Sequence, residues 1–232
     1  MLKVDNVNVS IKKTCILEGL TLHIDYGEVA GLVAPNGYGK TTLLKTIAGL
    51  TKIVSGDVFV EDVSLTKHSP FYNKNLFFFQ NVESLYLNLT VLEHLEFVKK
   101  SWQSSKNIDF VIQTLKMESY KNKKVKQLSL GMKQHLLIAM AIISEASLIL
   151  MDEPFNGLDP SSVKIVSHII KQMANEKKSF LFSSHILSHI DLICSKVLFL
   201  KDKKIILVED LLHQKFTNTE KNYNLLYEEI SL

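Results

Sequence analysis

The segment that most narrows the folds open to this chain is Val29 to Val33. It is an apolar run that passes without a polar break into Ala34-Pro35-Asn36-Gly37-Tyr38-Gly39-Lys40-Thr41. A strand lacking polar alternation has to be covered on both faces, as strands are inside a parallel sheet packed between helices. From Gly37 to Leu50 the spacing becomes helical, with Leu43, Leu44, Ile47 and Leu50 on one side. The loop string alone could be a glycine-rich turn, but a buried strand before it and a helix after it are the context expected of a phosphate-binding loop. Gly37 and Gly39 let backbone N–H groups face phosphate oxygens, and the helix N-terminus adds a fixed positive field. Lys40 reaches the outer phosphates, and the Thr41 hydroxyl is placed to ligate Mg2+.

A second buried run, Leu148-Ile149-Leu150-Met151, ends in Asp152-Glu153-Pro154. Ligands of open α/β sheets bind at the carboxyl edge of the strands, where this acidic pair is expected. Asp152 suits a direct or water-mediated contact with Mg2+, and Glu153 suits polarising a water that attacks a terminal phosphate. A helix over Val163 to Ala174 separates this run from a third, Phe180 to Ser183, which calls for parallel pairing with a crossover. Residues 1 to 33 read as short strands, with period-two alternation at Leu20, Leu22 and Ile24 and a turn at Tyr26-Gly27. Asp57 to Val60 and Leu76 to Phe79 are further strand candidates, and Val197 to Leu200 with Lys204 to Val208 form a closing pair. From about Asn88 to Glu145 the pattern turns helical, through Leu92, Leu95, Val98 and then Val111, Ile112 and Leu115. Lys121-Asn122-Lys123-Lys124 is a solvated loop within it.

Composition excludes several classes. At 232 residues and 46% hydrophobic, the chain can bury one domain with an appended subdomain. A net charge of +3 gives no reason to expect nucleic acid or anionic lipid as a partner. All 27 basic residues are lysine, so any cationic clamp uses ammonium groups and backbone amides, and an arginine finger from this chain is excluded. Cys15 and Cys194 belong to no metal-ligand or disulfide spacing and read as thiols in a reducing cytosol. Met1-Leu2-Lys3-Val4-Asp5 meets charge too soon for a signal peptide. The longest apolar stretch, Leu136 to Met151, contains Glu145 and falls short of the ~20 apolar residues of a spanning helix. No direct membrane span is expected.

Taken with three further elements, these motifs resemble the nucleotide-binding domain of ABC ATPases over about residues 1 to 210. Leu128-Ser129-Leu130-Gly131-Met132-Lys133-Gln134 resembles the family signature. Gln80 matches the Q-loop glutamine, Asn156-Gly157-Leu158-Asp159 the D-loop, and His185, after Ser183-Ser184, the switch histidine. The fold this resemblance implies is an α/β P-loop NTPase with a RecA-like core, an N-terminal antiparallel β-subdomain, a helical subdomain inserted at about 83–145 and a C-terminal tail over 211–232. It implies ATP held by Ala34 through Thr42, with Ile11 where the family stacks an aromatic on adenine. Mg2+ is then held by Thr41, Gln80 and Asp152, and Glu153, His185 and Gln80 are catalytic. The resemblance also implies that Leu128 to Met132, chiefly Ser129 and Gly131, cap the terminal phosphate of ATP held by a second copy. Such head-to-tail pairing is isologous and makes two sites at once. It produces a homodimer, or a heterodimer with a second cassette, whose D-loops cross the interface. An integral membrane permease subunit takes up the motion through Asn81 to Leu95, which places the chain in the cytoplasm, peripheral on the inner face of the cell membrane.

Departures from the family pattern are informative. Ala34 replaces a glycine, Tyr38 stands where a small residue is usual, Ile11 is aliphatic, and Leu130 and Met132 replace glycine and glutamine. Ser-Leu-Gly-Met-Lys-Gln resembles the signature of antibiotic and bacteriocin exporters, including bacitracin- and lantibiotic-type immunity systems, although His135 stands where an arginine usually follows. Two rival readings are a soluble ABC ATPase acting away from membranes and a degenerate nucleotide-binding partner in a heterodimer. A single cassette with a short interval between Lys40 and Ser129 opposes the first. The presence of Lys40, Asp152, Glu153 and His185 opposes the second. The cargo is not encoded in these motifs.

Overall fold

The computed structural model describes residues 1–67, 70–211 and 219–228. Along the chain, β1 (Leu2–Ile11) and β2 (Thr14–Ile24) form a hairpin, and β3 (Val29–Val33) leads into α1 (Lys40–Ile47). Next come β4 (Ser55–Val60), β5 (Val63–Ser64), α2 (Pro70–Lys74) and β6 (Leu76–Phe79). Three helices follow: α3 (Val91–Trp102), α4 (Ile108–Thr114) and α5 (Leu130–Ser144). The remainder is β7 (Leu148–Asp152), α6 (Pro160–Asn175), β8 (Ser179–Ser183), α7 (Leu187–Ile193), β9 (Lys196–Lys201), β10 (Lys204–Asp210) and α8 (Thr219–Tyr227).

These strands make two sheets. One is antiparallel in the order β2-β1-β4-β5, and the other runs β10-β9-β3-β8-β7-β6, parallel throughout except for the antiparallel edge strand β10. Alternation along the parallel strands divides the interior into two chemically different cores. Ala30, Leu32, Leu148, Leu150, Leu181, Leu198 and Leu200 face the antiparallel sheet and α1. Val29, Val33, Phe77, Phe79, Phe180, Phe182 and Phe199 face the helical layer. Each face therefore has its own complement, aliphatic on one side and a mixture of phenylalanine with Val29, Val33, Ile149, Met151 and Val197 on the other, and a one-residue slip would exchange them.

The strands of the N-terminal hairpin are longer than the short elements expected. Asn6, at φ 50, interrupts the pairing of β1 between Val4 and Val7, and this restores Val7 and Val9 to the buried side shared by Leu2 and Val4. The helix after the phosphate loop is shorter than its apolar spacing suggests. It begins at Lys40 and stops at Ile47, leaving Leu50 exposed beyond the cap residue Ala48. Strand β4 starts two residues earlier than expected, at Ser55.

Helices in the inserted region start where the local sequence supplies acceptors. Thr90 and Glu93 close a reciprocal capping box on α3, Asn107 caps α4, and Ser129 caps α5. Helix α6 starts on Asp159 with Pro160 in its first turn, which needs no N–H there. No helix among the described residues is long and apolar enough to cross a membrane. Of the tail, Leu225 and Leu226 lie in α8, whereas Ile230 lies outside the described residues.

Candidate nucleotide-binding site

The phosphate-loop residues leave β3 at the carboxyl edge of the parallel sheet. Gly39 sits at φ 105 directly before α1, and a Cβ there would stand 3.3 Å from Ile16 Cγ2, so glycine meets both the backbone angle and the tight fit beneath β2. With no side-chain cap on this helix, its first intrahelical bond is Leu43 N–H to the Gly39 carbonyl. The amides of Lys40, Thr41 and Thr42 thus have no acceptor within the helix, the condition for anion binding at a helix N-terminus. A cleft of about 300 Å3 lies over them, lined by Ile16, Asn36, Gly37, Gly39, Lys40, Thr41, Thr42, Asp152 and Glu153.

Lys40 is buried, and its Nζ donates to the carbonyls of Ala34 at 2.6 Å and Pro35 at 3.3 Å. Burial lowers the ammonium pKa, while Glu153 and Asp152 oppose that shift. Thr41 Oγ1 donates to Asp152 Oδ2 at 2.6 Å, which joins the helix start to the end of β7. One hydroxyl and one carboxylate are hard oxygen donors, and they fit a Mg2+ ion whose remaining ligands are phosphate oxygens and water.

Asp152 and Glu153 are divided by backbone conformation. Asp152 closes β7 in extended form, whereas Glu153 takes φ 51, a left-handed angle uncommon for a residue with a side chain. Ser183, fully buried at the end of β8, stabilises this arrangement. Its Oγ donates to Asp152 Oδ1 at 2.5 Å and accepts the Glu153 N–H at 3.0 Å. The left-handed turn carries the Glu153 carboxylate to His185, whose Nδ1 donates to Oε2 at 2.9 Å. Gln80 follows β6 one residue past the Phe79–Met151 pair, which sets it beside Asp152 along the sheet edge.

The other expected site residues lie outside the cleft lining. Ile11 ends β1 and is exposed, and it is Ile16, across the hairpin, that lines the cleft. Tyr38 is partly exposed, with its ring edge-on to Tyr227 at 5.6 Å. Ser129 Oγ accepts the Met132 N–H at 3.3 Å, and Gly131 and Leu130 sit beside the D-loop of the same chain. A Cβ at Gly157 would come within 2.1 Å of Leu130 Cδ2, and Gln134 Nε2 donates to the Asn156 carbonyl at 3.4 Å. Asp159 accepts from the N–H groups of Ser161 and Ser162 and from both hydroxyls.

Ser183 and Ile16 are the residues that sequence reasoning missed. Ser183 carried a signal: it is the polar residue at the end of an apolar strand whose register sets it against Asp152. Ile16 carried none, because its role depends on how the hairpin folds over the phosphate loop.

Comparison with known proteins places this geometry in context. A family model described as ABC transporter matches residues 17–156. The lantibiotic transport ATP-binding protein SrtF of Streptococcus pyogenes is 33% identical over 235 residues, covering 97% of this chain and 96% of its own. Among solved structures, an ATP-binding subunit of an ABC transporter superposes with a TM-score of 0.86 at 25% identity, covering 91% of this chain and 90% of that one. A bacterial ABC transporter cassette solved as a dimer gives 0.81 at 25% identity, over 93% and 100% of the two chains.

Proposed function

This chain belongs to the ABC transporter family as an ATP-binding protein, and from that premise we propose that it hydrolyses ATP between two copies of itself to drive an integral membrane permease subunit. One observation carries the reading: the paired contacts Thr41–Asp152 at 2.6 Å and Glu153–His185 at 2.9 Å stand at the rim of the cleft over the first turn of α1.

The residues divide the work as follows. The amides of Lys40 to Thr42 and the Lys40 ammonium bind the phosphates, with Lys40 exchanging the carbonyls of Ala34 and Pro35 for phosphate oxygens. Thr41, Asp152 and Gln80 would hold Mg2+, which supplies charge neutralisation on the phosphates when bound. Glu153 orients and polarises the attacking water, and His185 fixes the Glu153 carboxylate by its Nδ1–H and faces the terminal phosphate. Base recognition is loose, since Ile16 offers an aliphatic surface to the base and no aromatic plane.

Leu130 and Gly131 lie beside the D-loop, and none of Leu128 to Met132 lines the cleft of their own chain, which supports a second copy as the recipient of Ser129 and Gly131. The similar cassette solved as a dimer supports the same arrangement. Likeness to a lantibiotic transport protein, together with the Ser-Leu-Gly-Met-Lys-Gln signature, supports export of a lantibiotic, bacteriocin or related peptide. The complex would then work from the cytoplasmic face of the cell membrane, with Asn81 to Leu95 against the permease.

Glu153→Gln tests the chemistry. The variant is expected to bind MgATP, to elute as a dimer in size-exclusion chromatography with ATP present, and to lose turnover by a factor on the order of 100 or more. Hydrolysis at the wild-type rate would remove Glu153 from the role given to it. A monomer at saturating MgATP would remove the second copy.

A further inference from the structure

The C-terminal helix ends against the stem of the phosphate loop. Tyr227, the last residue of α8, donates from its hydroxyl to the carbonyls of Leu200 at 2.9 Å and Val33 at 3.2 Å. The last parallel pair between β3 and β9 is Val33–Phe199, so this hydroxyl sits where the ladder stops and the loop begins. Three more contacts hold the helix in place. Lys201 Nζ donates to the Leu226 carbonyl at 2.6 Å, Asn222 Nδ2 to Glu209 at 3.1 Å, and Thr219 Oγ1 to Asp191 at 2.6 Å. The Tyr227 ring also meets Tyr223 at 4.9 Å and Tyr38, within the loop itself, at 5.6 Å. Burial, reinforced by Tyr223, Tyr38 and Asp202, pushes the Tyr227 phenol up.

These contacts form a sequence along the loop. The carbonyl of Val33 is held by Tyr227, and those of Ala34 and Pro35 are held by Lys40. Lys40 is the group that has to turn toward phosphate. Once it does, the two carbonyls it held are released, and Tyr227 is the side chain that still fixes the start of the loop. The ring contact makes Tyr38, a bulky and partly exposed residue, the point at which α8 touches the loop from outside.

We infer that Tyr227 is a positioning residue for the phosphate loop, setting nucleotide affinity through Val33 and Tyr38. The inference rests on the reading of the cleft as an ATP site, and the experiment separates the two. Full-length protein is titrated calorimetrically with MgATP and MgADP, alongside Tyr227→Phe, Tyr38→Ser and Tyr38→Phe, with melting curves and steady-state turnover on each. Tyr227→Phe keeps the ring and removes one bifurcated hydrogen bond, which corresponds to about a three- to tenfold weaker Kd. Turnover at saturating ATP is expected to stay within about twofold, because the hydroxyl touches no reacting group. Tyr38→Ser should weaken binding similarly, and Tyr38→Phe should restore it. A Tyr227→Phe protein that melts earlier but binds both nucleotides as wild type does would overturn the inference and leave Tyr227 a packing residue. Wild-type protein that binds neither nucleotide would instead overturn the ATP reading, and the inference with it.

Discussion

Replacing Ser183 with alanine tests whether the acidic pair is held by the strand next to it. The hydroxyl is fully buried and makes two contacts, donating to Asp152 at 2.5 Å and accepting the Glu153 N–H at 3.0 Å. A hydrogen bond to a charged group contributes about 1.5–3 kcal/mol, and a buried N–H left without an acceptor costs about 1–3 kcal/mol. The two losses share one atom and do not simply add, and Asp152 keeps its bond from Thr41. A net destabilisation of about 2–4 kcal/mol follows, which for a chain of this length lowers the melting temperature by about 4–16 °C. The positive φ at Glu153 makes this position sensitive, because the N–H that loses its acceptor belongs to the strained residue. Urea unfolding monitored by the single tryptophan, Trp102, gives the free energy, and coupled-enzyme turnover gives the functional effect, expected on the order of tenfold in kcat. A Ser183→Ala protein within about 0.5 kcal/mol of wild type, with unchanged turnover, would refute the argument that Ser183 holds both acids.

Gly157→Ala places a Cβ 2.1 Å from Leu130 Cδ2 on a residue at φ 77, and about 1–3 kcal/mol of stability should be lost in urea unfolding. Adding Leu130→Ala should recover the steric part of that loss; an equal loss in both backgrounds would mean that signature and D-loop are not in contact. The Asp159 carboxyl is held well below the usual range, first by the Ser161 hydroxyl, then by the Ser162 hydroxyl and backbone N–H. A depressed folded pKa contributes stability above the unfolded value of about 3.9, and that stability is lost as pH falls from there toward the folded value. Asp159→Asn should therefore flatten the acid limb of a stability-versus-pH curve below about pH 4 and leave its neutral region little changed, since asparagine also caps helices well. An acid limb identical to wild type would assign that loss to other carboxylates.

The parallel strands were readable because five of them carry unbroken apolar runs, and the acids at the end of one and the glycines at the end of another then had only one sheet edge to occupy. Glu153 and His185 were grouped only by the family resemblance, and their contact and the cap at Ser129 came from the structure. What could not be read was set by backbone angles and by packing between distant segments. Leu50 continues a helical spacing that the chain abandons at Ile47. The bulge at Asn6 lengthens a strand that alternation alone would have broken. Leu130 against Gly157, Ile16 beneath Gly39 and Tyr227 under Val33 are all contacts between residues far apart in sequence. The tail gave least warning, because a tyrosine in a polar helix looks the same on paper whether it faces solvent or a strand end.

Helix α5 has a mechanical meaning that its cap alone does not convey. Its fifteen residues span about 22 Å, and only two residues separate its cap at Glu145 from β7, the strand that ends in Asp152. A single rod therefore joins the signature, offered outward, to the root of the catalytic strand.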